Sequence, residues 1–148
     1  MIAVDCATLA DLDALLPMVA SYRVFYGQEP DEERERALIL EHLRIGTSTI
    51  YLARDEHGEA LGFAQLFQTQ STVRLGPSLV LEDLFVVPHA RRAGVAAKLL
   101  DRAILHAREV GATGMFLETA MDNGVAQRLY ERAGWARETQ FYKYNAPL

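Results

Sequence analysis

The chain has 148 residues, a formal charge of −5 and apolar residues at 50% of its positions. Its length predicts one domain, residues 1–148, able to bury roughly 68–70% of its unfolded surface, enough for a core without staples. The acidic balance argues against a nucleic-acid partner, no run approaches the ~20 apolar residues of a membrane span, and one cysteine, Cys6, allows no intrachain disulfide.

The N-terminal MIAVDCATLADLD lacks a basic flank and meets acids at once, unlike a signal peptide, so a cytoplasmic protein is expected. Ile2 and Val4 alternate with Ala3 and Asp5 as a short strand, with Cys6 read as a small apolar residue at its end. Thr8 and Asp11 have the spacing of a capping box, so a helix is expected from Leu9, with Leu12, Leu15, Leu16 and Val19 on its apolar face. Pro17 falls inside that pattern and should kink or split the helix. Tyr22, Phe25 and Tyr26 follow within five residues. They either cover the core or form an aromatic wall for a substrate cation.

Asp31 is the expected N-cap of a second helix that opens with PDEERER and ends at Gly46. Leu38, Ile39, Leu43 and His42 are expected on its inner side. Thr49–Arg54 and Glu59–Gln68 read as a hairpin around Asp55–Gly58, and Gln70–Ser78 as a polar loop or bulged edge. A central strand, Leu79–Val87, is stopped by Pro88. Val95, Leu99, Leu100, Ala103, Ile104 and Ala107 then make a helical stripe ending near Gly111. Met115–Ala120 reads as a strand. Val125, Ala126, Leu129, Tyr130 and Ala133 mark a last helix with Gly134 as its C-cap, and Trp135–Tyr144 reads as one or two closing strands.

Chemistry concentrates between strand and helix, in LEDLFVVPHARRAGVAAKLL from Leu81 to Leu100. A helix N-terminus offers unpaired N–H groups and partial positive charge. Here Arg91 and Arg92 add full charges, while Ala93, Gly94, Ala96 and Ala97 keep the mouth small. A phosphate or pyrophosphate is the guest such a turn suits. Neither the P-loop nor the dinucleotide glycine pattern is present.

This turn resembles the acetyl-CoA motif [RQ]-x-x-G-x-[GA] of the GNAT N-acetyltransferases, matched by Arg91, Gly94 and Ala96. The later segment NGVAQRLYERAGW resembles the family's second signature, through Asn123, Ala126, Leu129, Tyr130, Gly134 and Trp135. The resemblance implies an α/β fold. Its mixed, mostly antiparallel sheet would carry helices on both faces, and a splayed parallel strand pair would bind CoA. The cosubstrate would lie along the backbone of Leu84, Phe85 and Val86. Its pyrophosphate would lie on the turn from Arg91 through Arg92, Ala93, Gly94, Val95 and Ala96 to Ala97, with Asn123 and Tyr130 nearby. No metal is implied.

The reaction would move acetyl from acetyl-CoA to a primary amine. An ammonium near pKa 10.4 loses its proton at pH 7 for roughly 4.6 kcal/mol, so a base helps. Glu82 is the candidate, flanked by Leu81, Leu84 and Phe85, whose bulk should bury it. Its spacing from Arg91 is similar to that in the diamine and polyamine branch. Asp83 should point to the other face and serve structure. Backbone N–H groups around Phe85 and Val86 would receive the thioester carbonyl. Tyr130 would return a proton to the leaving thiolate, an uphill step of roughly 2 kcal/mol for an ordinary phenol and thiol.

Tyr22, Phe25, Tyr26 and Glu82 would line the acceptor site. The implied acceptor is a small amine, such as a polyamine or amino-acid derivative, and a homodimer is common in the family. A protein lysine or N-terminal acetyltransferase, or a non-catalytic acyl-CoA-binding module, are the rival readings.

Overall fold

Local signals place most of the helix ends. In the computed structural model, which describes residues 1–148, the Thr8 N–H donates to Asp11 Oδ2 at 2.8 Å and closes the capping box. The turn that follows, Leu9–Asp11, is 3₁₀, and the first α-helix, α1, is Leu12–Phe25. Pro17 does not split it. The proline removes only the N–H that would have met the Asp13 carbonyl, and Leu12, Leu15, Met18 and Val19 stay buried across it. Asp31 caps α2, Glu32–Ile45, by accepting the Arg34 N–H at 3.1 Å. Gly46 ends α2 at φ 75°, where a residue with a Cβ is strained.

Two compact units result, Met1–Glu118 and Thr119–Leu148. The first carries a five-stranded sheet in the order β1-β2-β3-β4-β5: Ala3–Cys6, Thr49–Arg54, Ala60–Ser71, Gly76–Val86 and Gly114–Phe116. Pairings are antiparallel except β4 with β5, which is parallel. The fold is therefore α/β with a mixed, mostly antiparallel sheet. Phe63 and Phe85 join Leu52, Ile50 and the α1–α2 side chains in one core cluster. On the opposite face lies α3, Val95–Glu109, with Leu99 beside Gly62 and Val95, Leu99, Leu100, Ala103 and Ala107 buried.

Several expected boundaries move. Gln70–Ser78 is not a loop: β3 runs to Ser71 and β4 starts at Gly76, because Thr69↔Ser78 and Gln70↔Pro77 continue the ladder at an exposed end. Met115–Ala120 shortens to β5. Leu38, one position before the inward-facing Ile39, is 52% exposed, and the inner place one turn before Ile39 goes to Glu35, paired with Arg23. Cys6 is exposed.

The second unit holds one helix, α4, Gly124–Arg132. It ends as a Schellman motif: Gly134 has φ 93°, its N–H meets the Glu131 carbonyl, and the Trp135 N–H meets the Tyr130 carbonyl at 3.0 Å. Val125 is 71% exposed, off the stripe expected to be buried. Trp135–Tyr144 forms no strand. A strand needs a ladder partner, and this unit contains no other.

Two stability predictions follow from these contacts. A Cβ on Gly62 would stand 2.5 Å from the Phe85 carbonyl oxygen and 3.3 Å from Val86 Cα. Gly62→Ala should therefore destabilise the protein by about 1–3 kcal/mol in urea unfolding, since backbone must move. Asp11 also pairs with Arg54 across to β2. Burial pushes the Asp11 carboxyl up, but the Thr8 amide and Arg54 outweigh it and hold it below its ordinary value. Its stabilisation is present above the unfolded pKa of about 3.9 and lost as pH falls through the lower folded value. Asp11→Asn should lower Tm by roughly 2–8 °C at pH 7, for a loss of about 1–2 kcal/mol, and the gap should close below about pH 4.

Candidate active site

The parallel strands part early. β4 meets β5 only where Ser78–Val80 faces Gly114–Phe116. From Leu81 to Val86, β4 is paired on one side only, with β3. The Val87 N–H donates to the Leu61 carbonyl at 2.9 Å. Antiparallel alternation then turns the Phe85 N–H toward β3 and leaves the N–H and C=O of Leu84 and Val86 on the opened side. The Val86 carbonyl agrees, since it accepts from Arg91 rather than from β3. Of the expected backbone donors, Leu84 and Val86 are thus available. Phe85 is not, and its ring is buried against α1.

The turn after β4 is held by its own arginine. Arg91 Nε donates to the Val86 carbonyl at 2.9 Å, and its guanidinium lies 5.7 Å from the centre of the Phe85 ring. Arg91 therefore straps the turn to the strand end. Arg92 at φ 64° and Gly94 at φ 84° both adopt left-handed backbone, folding the chain tightly into α3. No side chain caps α3, and its first return bond runs from the Lys98 N–H to the Gly94 carbonyl. The N–H groups of Val95, Ala96 and Ala97 thus lack carbonyl partners within the helix, and Ala93, Gly94 and Ala97 are exposed. A Cβ at Gly94 would touch nothing within 4 Å. Uncapped donors under open space, continuous with an unpaired strand edge, fit a pyrophosphate joined to an extended arm.

Glu82 departs from expectation. The β3–β4 register shifts between Gln65↔Asp83 and Leu66↔Leu81, which leaves Glu82 as the extra residue of a bulge. It is exposed rather than buried, because the bulge turns it away from the leucines beside it in sequence. Asp83 takes the inner position instead, on the face of Phe63 and Phe85. Gln65 Nε2 donates to Asp83 Oδ2 at 2.6 Å, and Tyr22 also hydrogen-bonds the carboxylate. Burial pushes the Asp83 carboxyl above its ordinary value, opposed by the Gln65 bond and assisted by Glu82.

Tyr22 is half-buried, with ring centres 5.9 Å from Phe63 and 6.0 Å from Phe85. Tyr26 lies 5.0 Å from Tyr22, and Phe25 lies 5.2 Å from Tyr26. Phe25 and Tyr26 are exposed, so the aromatic row leads from the surface to Asp83. Sequence reasoning read Asp83 as structural and did not single out Gln65. The signal available was a polar Gln65 amid the apolar run Leu61–Leu66.

In the second unit, Asn123 caps α4 by accepting the Ala126 N–H at 3.2 Å. Tyr130 lies on α4, half-buried, its ring centre 6.2 Å from that of Trp135. The histidines take other parts. His42 bonds Thr47 and packs on Phe67, His106 bonds Tyr51, and His57 sits in an exposed turn. A recess of about 300 Å³ beside α3, lined by Thr47, Ser48, Gln68 and His106 among others, contains none of the residues expected to act. No group of three or more His, Cys, Asp or Glu side chains is placed to hold a metal ion, and no helix is long and apolar enough to cross a membrane.

A family profile described as "Acetyltransferase (GNAT) family" matches residues 15–135. An "Uncharacterized N-acetyltransferase YhfO" of Bacillus subtilis (strain 168) is 38% identical over 138 residues, 93% of this chain and 92% of its own. An "Aminoglycoside N(6')-acetyltransferase type 1" of Klebsiella aerogenes is 32% identical over 103 residues, 68% of each chain. A crystal structure of "a probable acetyltransferase" superposes with a TM-score of 0.94 at 39% identity, over 99% of this chain and 97% of the other. The structure of AAC(6')-Iy with a bisubstrate analog shares the fold, with a TM-score of 0.83 at 20% identity over 100% and 99% of the two chains.

Proposed function

The chain belongs to the GNAT acetyltransferase family, and from that premise we propose that its one domain moves acetyl from acetyl-CoA to the primary amine of a small molecule. Acetyl-CoA-dependent N-acetyl transfer is the activity of this family. The small acceptor, a polyamine or amino-acid derivative, is the finer part of the reading. The observation that carries it is the opened β4 edge running into an uncapped α3 N-terminus, with an aromatic row ending beside that edge.

The residues divide the work. Val95, Ala96 and Ala97 give their N–H groups to the pyrophosphate, and Arg91 holds the turn in shape. The Leu84 and Val86 N–H groups point where the thioester arm passes and donate to its carbonyl as negative charge develops there. Acetyl-CoA supplies the activated acyl group. Glu82, exposed at the bulge, accepts the acceptor's proton through water. Tyr130 protonates the departing thiolate. Asn123 sets the start of the helix that carries Tyr130. A homodimer in the cytoplasm belongs to the same reading.

The test is release of free CoA thiol from acetyl-CoA against polyamines, amino acids, arylalkyl amines, aminoglycosides and lysine peptides. A small amine turning over fastest supports the reading. A lysine peptide turning over fastest makes the protein a protein acetyltransferase, and acetyl-CoA binding without any turnover makes it a binding module. Glu82→Gln should lower kcat about a hundredfold, the low end for a general base because an exposed carboxylate competes with solvent.

A further inference from the structure

Two acids of the first unit, the buried Glu35 and the half-buried Asp83, differ in how their charge is met. Glu35 is buried and paired with Arg23. Asp83 has only uncharged partners: the Gln65 amide and the Tyr22 hydroxyl. It takes part in none of the ion pairs, which include those of Arg23, Arg54 and Arg102. The arrangement is built rather than incidental. Ser48 Oγ donates to Gln65 Oε1 at 2.7 Å, which turns the Gln65 amide so that its N–H faces Asp83. A carboxylate partly withdrawn from water is best met by a cation, because hydrogen bonds from neutral groups replace only part of its hydration.

Geometry says where a cation would come from. Asp83 directly precedes Leu84, whose N–H faces the opened edge of β4. The aromatic row Phe25–Tyr26–Tyr22 leads to it from the surface, and ring faces attract cations while ring edges and alkyl bodies pack together. We propose that Asp83 is the anchor for the acceptor's ammonium, and that the row selects a primary amine on an alkyl or aryl body over an amino sugar or a peptide lysine. The proposal rests on the small-amine reading above and narrows it. Asp83 holds the ammonium, and Glu82, exposed at the bulge, receives the proton.

Binding is measured by calorimetry with CoA present, so that turnover is not needed. The ligands are 2-phenylethylamine, its neutral counterpart 2-phenylethanol, spermidine, an aminoglycoside and a lysine peptide. The wild type should bind phenylethylamine and spermidine more tightly than the aminoglycoside and the peptide, and phenylethylamine at least tenfold better than the alcohol. Asp83→Asn should weaken amine binding about tenfold to a hundredfold, the range for losing a hydrogen bond to a charged group, with the alcohol and CoA unaffected. Where Asp83→Asn does not fold, the amine–alcohol comparison on the wild type decides alone.

Equal binding of amine and alcohol, an unchanged amine affinity in Asp83→Asn, no amine binding at all, or preference for the sugar or the peptide each overturn the proposal. Amine binding through Asp83 without acetyl transfer would overturn the function and leave the anchor. Transfer with an unaltered amine KM in Asp83→Asn would do the reverse.

Discussion

Gly94→Val is expected to raise the dissociation constant for CoA about a hundredfold while leaving the protein folded. The glycine sits at φ 84°, ψ 7°, where a residue with a Cβ pays about 1–2 kcal/mol and a β-branched one more. That strain alone does not unfold a domain, and nothing in the protein lies within 4 Å of the new Cβ. The space it enters is the one above the free N–H groups of Val95, Ala96 and Ala97. The valine therefore both bends the turn away from its shape and obstructs the anion. A hundredfold is about 2.8 kcal/mol, within reach of the two effects together. Gly94→Asn separates them, because asparagine tolerates left-handed backbone but still places a side chain in the way. Calorimetry with CoA reads the affinity and a thermal melt reads the fold. An unchanged affinity in both variants would move the pyrophosphate away from this turn.

Tyr130→Phe is expected to lower kcat about 10²–10³-fold with the KM for acetyl-CoA changed by no more than about threefold. A positioned general acid contributes about 10²–10⁴-fold. The lower part of that range applies because phenol-to-thiolate transfer is uphill by about 2 kcal/mol for ordinary groups. Phenylalanine keeps the ring beside Trp135, so α4 and its Schellman ending should persist. The pH profile carries the sign. A tyrosine that donates a proton fails once it is ionised, so the wild-type kcat should fall at alkaline pH and the Phe variant should lack that fall. A variant with normal kcat would reduce Tyr130 to a packing residue.

The candidate anion-binding stretch was legible because its chemistry is local. Arg91, Gly94 and Ala96 lie within one turn, and a helix N-terminus after a strand carries its own anion affinity wherever it stands. The role of Arg91 was half legible. Its charge is plain in the sequence, but its bond to the Val86 carbonyl depends on a carbonyl freed by the parting of β4 from β5. The burial expected of Glu82 failed for one reason. Strand alternation assigns faces only while the register is regular, and the extra residue between Gln65↔Asp83 and Leu66↔Leu81 is a property of the pair of strands. Leu38 was misplaced because helical spacing marks a stripe and leaves its edge to packing.

By itself the sequence determined the helix ends at Thr8–Asp11, Asp31, Gly46, Asn123 and Gly134, the strand–turn–helix with its uncapped α3 start, and through its two signatures the family. Each depends on bonds between residues a few positions apart, so nearby residues suffice to specify it. Tertiary structure alone decided that β4 opens beyond Val80, that Glu82 faces water, and that Asp83 lies inside with Gln65 and Tyr22. Those outcomes require partners distant in the chain, and the free energy of a half-buried carboxylate is set by which groups the fold brings to it.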